Sequence, residues 1–188
     1  MKIQANTIRG GMVIDYEGKQ WSVLKIQLLQ PGKGGAFIQV EMRDVVTGVK
    51  SQARWRTADV VERLEVREHE CQYLYRDGDI VTFMDNESFD QFNVPAELIG
   101  DRTAFLQDNM QVLVDFIEGK PVSVKLPQTV TLTVTDADAV VKGQTASSSY
   151  KPGMLENGVK IMLPPFVTAG TRVVVNTEDG SYVERAKD

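Results

Sequence analysis

The sequence predicts an all-β chain built from several small barrels or sandwiches. Three observations carry that prediction. Apolar and polar residues alternate over short runs, glycine-bearing turn signals separate the runs, and helix signals are scarce. Many short strands with regularly spaced turns are the pattern of barrels and sandwiches rather than of helix-covered parallel sheets.

In chain order, a strand-like run extends from Trp21 to Leu29, and another from Ala36 to Val46. Within the second, Ile38, Val40 and Met42 alternate with Gln39, Glu41 and Arg43. Further on, Val122, Val124 and Leu126 alternate with Ser123 and Lys125, and Val130, Leu132 and Val134 alternate with threonines. Each run reads as a strand with one buried and one wet face. Branched threonine side chains add a preference for extended backbone. Turn signals fall at Glu17-Gly18-Lys19, Asp77-Gly78, Glu118-Gly119-Lys120 and Asp179-Gly180, where glycine supplies the positive φ of a tight hairpin. The best helix signal is Asn93 to Gly100, with Pro95 near the first turn and Gly100 as the stop. The segment Lys142 to Tyr150 reads as a long polar loop, and no internal repeat stands out.

The chain has 188 residues, 42% of them apolar and 25% charged, which is ordinary globular composition. No apolar run approaches the roughly 20 residues of a membrane span, and the start, Met1 to Asn6, has no apolar signal core. The expected location is the cytoplasm, with no membrane partner. The charge is unevenly divided. Residues 1–64 hold ten Lys and Arg against six Asp and Glu, net +4; residues 65–127 hold five against thirteen, net −8; residues 128–188 hold six against seven, net −1. A basic end joined to an acidic middle fits a protein that meets nucleic acid with some parts only. The charge change near 64 and the break at Leu126-Pro127 give three domains, 1–64, 65–127 and 128–188, each near the lower size limit for folding alone.

Cys71 and His69 are the only residues of their kinds, so an internal disulfide is ruled out and a thiolate–imidazole zinc site lacks ligands. They lie two apart and would share a strand face, but no third group is evident to orient the histidine. The pair reads as ordinary strand. Asp77 with Asp79 and Asp136 with Asp138 complete no calcium loop, and Asp77-Gly78-Asp79 is better read as a turn. No nucleophile, base and oxyanion donors assemble, so neither catalytic residues nor a metal is expected.

The sharpest local feature is Gln30-Pro31-Gly32-Lys33-Gly34-Gly35-Ala36, placed between two strand runs. Proline and three glycines around one lysine make a hairpin tip with a single long side chain. Its amine is open to a modifying enzyme and able to enter a narrow cleft. The plainer reading is an exposed lysine with no role. A nucleotide-binding phosphate loop is excluded, since Lys33 is followed by Gly34 and a strand rather than by Ser or Thr and a helix. A second candidate surface is Lys50, Arg54 and Arg56, which share strand parity while Trp55 points the other way. They suit phosphates, and equally a solvated basic strand over a buried tryptophan.

These residues resemble the elongation factor P family over essentially the whole chain. The resemblance rests on Pro31-Gly32-Lys33-Gly34, on Tyr73 to Asp79 continuing through Phe83-Met84-Asp85 and Phe89-Asp90-Gln91, and on Val141 to Ala146 through Lys151-Pro152, Leu155 to Gly158 and Pro164-Pro165-Phe166 to Gly170. The closing Asp179 to Arg185 is similar to the family's last strand. There are two departures: Gly153 stands where the family usually has alanine, and Leu163 where it usually has valine. A paralogous branch and a glycosylated subgroup carry arginine at the tip, and Lys33 argues against both.

The resemblance implies a KOW-like (SH3-like) barrel followed by two OB-fold barrels in an elongated, L-shaped, tRNA-like arrangement. It implies a monomeric, non-enzymatic translation factor whose partners are the ribosome, ribosomal RNA and the peptidyl-tRNA, acting between the peptidyl and exit sites. It places Lys33 toward the acceptor end of that tRNA, often extended by a lysylation-type modification from a dedicated enzyme, with no other cofactor. Arg54 and Arg56 become RNA contacts, with Lys50 beside them. Tyr182 and Arg185 match terminal positions the family uses, though their opposite strand parity does not place them on one face. The rivals are a general OB-type RNA-binding protein and the close paralogue.

Overall fold

The computed structural model describes residues 1–139 and 149–187. The expected polar loop 142–150 and the motif stretch 141–146 therefore lie largely outside the described residues. The strands are β1 (Lys2–Gln4), β2 (Val13–Tyr16), β3 (Lys19–Leu29), β4 (Phe37–Asp44), β5 (Lys50–Arg56), β6 (Val60–Leu64), β7 (Val66–Asp77), β8 (Ile80–Asp85), β9 (Gln91–Pro95), β10 (Gln111–Ile117), β11 (Lys120–Lys125), β12 (Thr129–Ala137), β13 (Lys151–Leu155), β14 (Lys160–Leu163), β15 (Arg172–Asn176) and β16 (Tyr182–Arg185). The chain is all-β, with curled half-barrel sheets in the orders β1-β6-β2-β3-β4-β5, β11-β10-β7-β8-β9 and β14-β13-β12-β15-β16.

Two compact units divide the chain, Met1–His69 with Val114–Val124, and Glu70–Leu113 with Lys125–Asp188. In the first, Ile14, Trp21, Val23, Ile38, Val40 and Met42 form the core with Ala5 and Ile8. The alternation in β4 buries Ile38, Val40 and Met42 and leaves the intervening side chains toward water, as a two-residue period requires. A second apolar cluster joins Val13, Leu64, Ile117 and Val122. In the second unit, Val130, Leu132 and Val134 of β12 face inward beside Val173 and Val175 of β15. Residues 104–107 are tied to the last sheet there. Asn157 Nδ2 donates to the Ala104 carbonyl (2.9 Å), and Gln107 Nε2 to that of Thr131 (3.0 Å).

The two Glu-Gly turns are two-residue hairpins, with Glu17 and Glu118 both at φ 50° and the following glycines at 73° and 76°. The Asn93–Gly100 helix is much shorter than its signals suggest. Asn93, Val94 and Pro95 pair with Thr82, Val81 and Ile80 in β9, leaving one α-turn, α1 (Ala96–Ile99), before Gly100 at φ 69° and a 3-10 stretch, Gly100–Phe105. Ladder pairing takes the residues that the Pro95 signal assigned to a helix start.

A six-residue turn recurs three times, although no repeat stands out in the sequence. Asp44 Oδ1 accepts from the amides of Val46 (2.8 Å) and Thr47 (3.1 Å), Gly48 N–H donates to the Asp44 carbonyl (2.9 Å), and Asp44 N–H donates to that of Val49 (2.9 Å). Asp85 does the same with Glu87 (2.8 Å), Ser88 (3.2 Å), Phe89 (2.9 Å) and Asp90 (2.9 Å). Asn176 does it with Glu178 (2.8 Å), Asp179 (3.4 Å), Gly180 (2.8 Å) and Ser181 (2.8 Å). The fifth position is left-handed each time: Gly48 at φ 74°, Phe89 at 62°, Gly180 at 73°.

Candidate nucleic-acid interface

The ladder between β3 and β4 runs out to Leu29 opposite Phe37. The residues between, Gln30 to Ala36, form the tip. Pro31, Gly32, Lys33, Gly34 and Gly35 are all exposed. A β-carbon added at Gly32, Gly34 or Gly35 would meet nothing within 4 Å, and only Gly34, at φ 125°, has a backbone that excludes other residues. Packing therefore does not explain Gly32 and Gly35. They keep the surroundings of Lys33 slim. The lysine faces water, not its own barrel, and among the described residues it makes no ion pair.

Lys50, Arg54 and Arg56 lie in β5 with their side chains exposed, while Ala53 is buried and Trp55 half-buried on the opposite face. Trp55 meets the Tyr16 ring edge-on at 5.1 Å between centroids. The strand register sorts the three cations. Arg56 is opposite Phe37, and Thr57 N–H donates to the Ala36 carbonyl (3.2 Å), so Arg56 stands at the base of the Lys33 tip. Arg54 is opposite Gln39, whose Oε1 accepts from its guanidinium at 3.4 Å. Lys50 lies at the other end of the strand, opposite Arg43. The structure thus groups Arg54 and Arg56 with the tip and sets Lys50 apart.

Tyr182 and Arg185 share a sheet face despite their odd spacing. Tyr182 is opposite Val175 and Arg185 opposite Val173, with a bulge between Val174 and Val175 that absorbs one residue of β16. The two valines are one period apart on the same face, so their partners are too. Exposed aromatics accompany the pair. Tyr150 meets Tyr182 edge-on at 6.4 Å, and the Arg185 guanidinium sits 5.1 Å from the Phe166 ring centre. Burial pushes the Tyr182 phenol above its ordinary value, so it stays a neutral hydrogen-bonding group at physiological pH.

Cys71 is wholly buried. Burial, reinforced by the Asp85 carboxylate, pushes its thiol up to about 11. A thiol so placed does not supply the thiolate a nucleophile needs. His69 packs its ring on Phe116 at 5.0 Å. Asp77 closes the β7–β8 hairpin opposite Ile80, as its turn reading requires, and Asp136 lies in β12. Gly153 and Leu163, the two departures from the family pattern, prove to be neighbours. A β-carbon at Gly153 would fall 2.4 Å from Leu163 Cδ1 and 3.0 Å from the Asp136 carbonyl oxygen. Leucine's added bulk occupies the space that an alanine methyl would need.

Residues 4–61 match the elongation factor P KOW-like domain, residues 66–124 the elongation factor P OB domain, and residues 130–185 the elongation factor P C-terminal domain. Fold and matches together define an all-β translation factor of KOW-like and OB-type modules. The chain is 66% identical over 187 residues to elongation factor P of Rhodospirillum rubrum and 63% identical to that of Acidiphilium cryptum, each covering 100% of both chains. The chain belongs to the elongation factor P family. Its fold is also similar to that of eukaryotic translation initiation factor 5A from Methanococcus jannaschii, with a TM-score of 0.57 and 21% identity over 68% of this chain and 92% of the other.

Proposed function

We propose that this elongation factor binds the ribosome between the peptidyl and exit sites and directs Lys33 to the acceptor end of the peptidyl-tRNA. There it stimulates peptide-bond formation, above all between prolines. The observation that carries the reading is the unsupported glycine tip, which presents one amine beyond a barrel edge that also bears Arg54 and Arg56. Proline is a rigid secondary amine and a poor attacker. Holding the tRNA end in reactive geometry lowers the entropic part of the barrier without any protein acid or base. A lysylation-type extension of Lys33 by a modifying enzyme would add reach and charge to the same arm.

In this reading three modules, 1–64, 65–127 and 128–188, divide the work. The first meets RNA through Arg54 and Arg56, with Lys50 more remote, and the third through Tyr182 and Arg185. The protein acts as a monomer in the cytoplasm. Among the described residues no helix is long and apolar enough to cross a membrane.

The test is a reconstituted translation assay on a message encoding three consecutive prolines. Lys33→Ala is expected to abolish rescue while circular dichroism and melting stay unchanged, because the side chain is exposed to solvent. Full activity of that variant would sink the tip mechanism.

A further inference from the structure

The hairpin between β13 and β14 turns on Asn157-Gly158, the single Asn-Gly pair in the sequence. Each member has its own reason to be there. Gly158 sits at φ 83°, a left-handed backbone that favours glycine, and its N–H donates to the Leu155 carbonyl (2.9 Å) to close the turn. Asn157 uses both ends of its amide. Oδ1 accepts from the Val159 N–H (3.2 Å), and Nδ2 donates to the carbonyl of Ala104 (2.9 Å), 53 residues away. Ala104 lies in segment 100–107, which other contacts also hold to the last sheet. Phe105 is buried, and a β-carbon at Gly180 would lie 3.4 Å from its Cζ. Gln107 Nε2 donates to the Thr131 carbonyl (3.0 Å).

An asparagine followed by glycine is the chemically weakest bond in such a latch. The Gly158 nitrogen, with no β-carbon to hinder it, can attack Asn157 Cγ. The new C–N bond closes a succinimide, the Cγ–Nδ2 bond breaks, and the amide leaves as ammonia with the Gly158 proton. Water then opens the ring to aspartate or isoaspartate. Gly158 is exposed, so water reaches the site. The closed latch opposes the reaction, because Leu155 holds the Gly158 N–H and both amide atoms of Asn157 are bonded. Local opening of segment 100–107 frees the Asn157 side chain to turn. The product does not restore the latch. A carboxylate has no hydrogen to donate at neutral pH, and it would face the Ala104 carbonyl oxygen. Gln107 is followed by Asp108 and lacks this weakness.

We propose that Asn157 is a deamidation site and a one-way latch, whose hydrolysis releases segment 100–107 from the C-terminal sheet. The proposal goes beyond ribosome binding and stands without it. The test uses the full chain, incubated in mildly alkaline buffer and peptide-mapped by mass spectrometry beside the same chain unfolded in urea. Deamidation at Asn157 is expected about tenfold slower in the folded chain, since closed structure protects it. Gln107→Ala removes the neighbouring tie, so it should raise the folded rate several-fold and leave the unfolded rate unchanged. Asn157→Asp should keep its strand content by circular dichroism while the amides of residues 100–107 exchange with heavy water about tenfold faster. Should that variant fold poorly, deamidated chain isolated from the incubation carries the same exchange measurement. Equal rates in folded and unfolded chains, a folded rate unmoved by Gln107→Ala, or unaltered exchange once position 157 is aspartate would each overturn the proposal.

Discussion

Strand β4 is entered and left by two connections of opposite character. At its start is the Lys33 tip, where among the described residues Gln30 to Gly35 make no hydrogen bond. At its end is the Asp44 turn, where one carboxylate and its own backbone hold four neighbouring residues in place. The contrast separates two uses of a hairpin. The Asp44 turn sets register and closes the sheet, so its sequence answers to stability. The tip holds nothing, so its sequence answers to what it reaches. The same division holds in the second unit, where the Asn176 turn is structural and the Asp85 turn adds an exposed ring to the same frame.

Breaking the Asp44 turn should have the largest effect on stability. Asp44→Ala removes two amide-to-carboxylate hydrogen bonds and leaves half-buried amides without acceptors, an expected loss of about 2–3 kcal/mol in urea unfolding. Asp44→Asn should retain most of that, since Asn176 closes the equivalent turn with an amide oxygen. The pH dependence separates both variants from the unsubstituted chain. Burial alone would raise the Asp44 carboxyl, but the amides of Thr47 and Val46, the Thr47 hydroxyl and the Lys19 ammonium outweigh it and hold it below its ordinary value. A depressed carboxyl stabilises the fold above its unfolded value of about 4, and that contribution is lost as pH falls through the folded value. Asp44→Asn should therefore flatten the acid limb of the stability curve below about pH 4. An unaltered limb would place the acid sensitivity elsewhere.

Next in size is the Gly153–Leu163 contact. Gly153→Ala is expected to cost about 1–3 kcal/mol through overpacking against a buried leucine. In the Leu163→Val background the same change should cost at least 1 kcal/mol less, a coupling that a double-mutant cycle reads directly. Additive effects would mean that the two departures from the family pattern are unrelated. The smallest effect is expected at the tip. Gly32→Ala should shift the melting temperature hardly at all, a change within about 0.5 kcal/mol, because its β-carbon enters open space. A large loss would show that the tip is structural after all.

What could be read in advance follows the range of the forces involved. Alternation in β4, β11 and β12 is local, so those strands were legible, as was the isolation of Lys33 among glycines. The face shared by Tyr182 and Arg185 was not, because a bulge between Val174 and Val175 sets it from the neighbouring strand. Parity counted along β16 alone gives the wrong answer. The Gly153–Leu163 compensation spans two strands, and each departure looks mild by itself. Asn93 to Pro95 carry helix-start residues, yet the ladder with β8 claims them. Phe89 had a usable signal. Aligning Asp44 to Val49, Asp85 to Asp90 and Asn176 to Ser181 shows phenylalanine standing where two glycines do.

The bare tip also makes its own reporter. Among the described residues, the backbone amides of Gln30, Gly32, Lys33, Gly34 and Gly35 have no acceptor to protect them, so in heavy water they should take up deuterium at nearly the rate of an unstructured peptide. Slowing of uptake at these five positions, once the factor meets its target, would record the tip becoming ordered there.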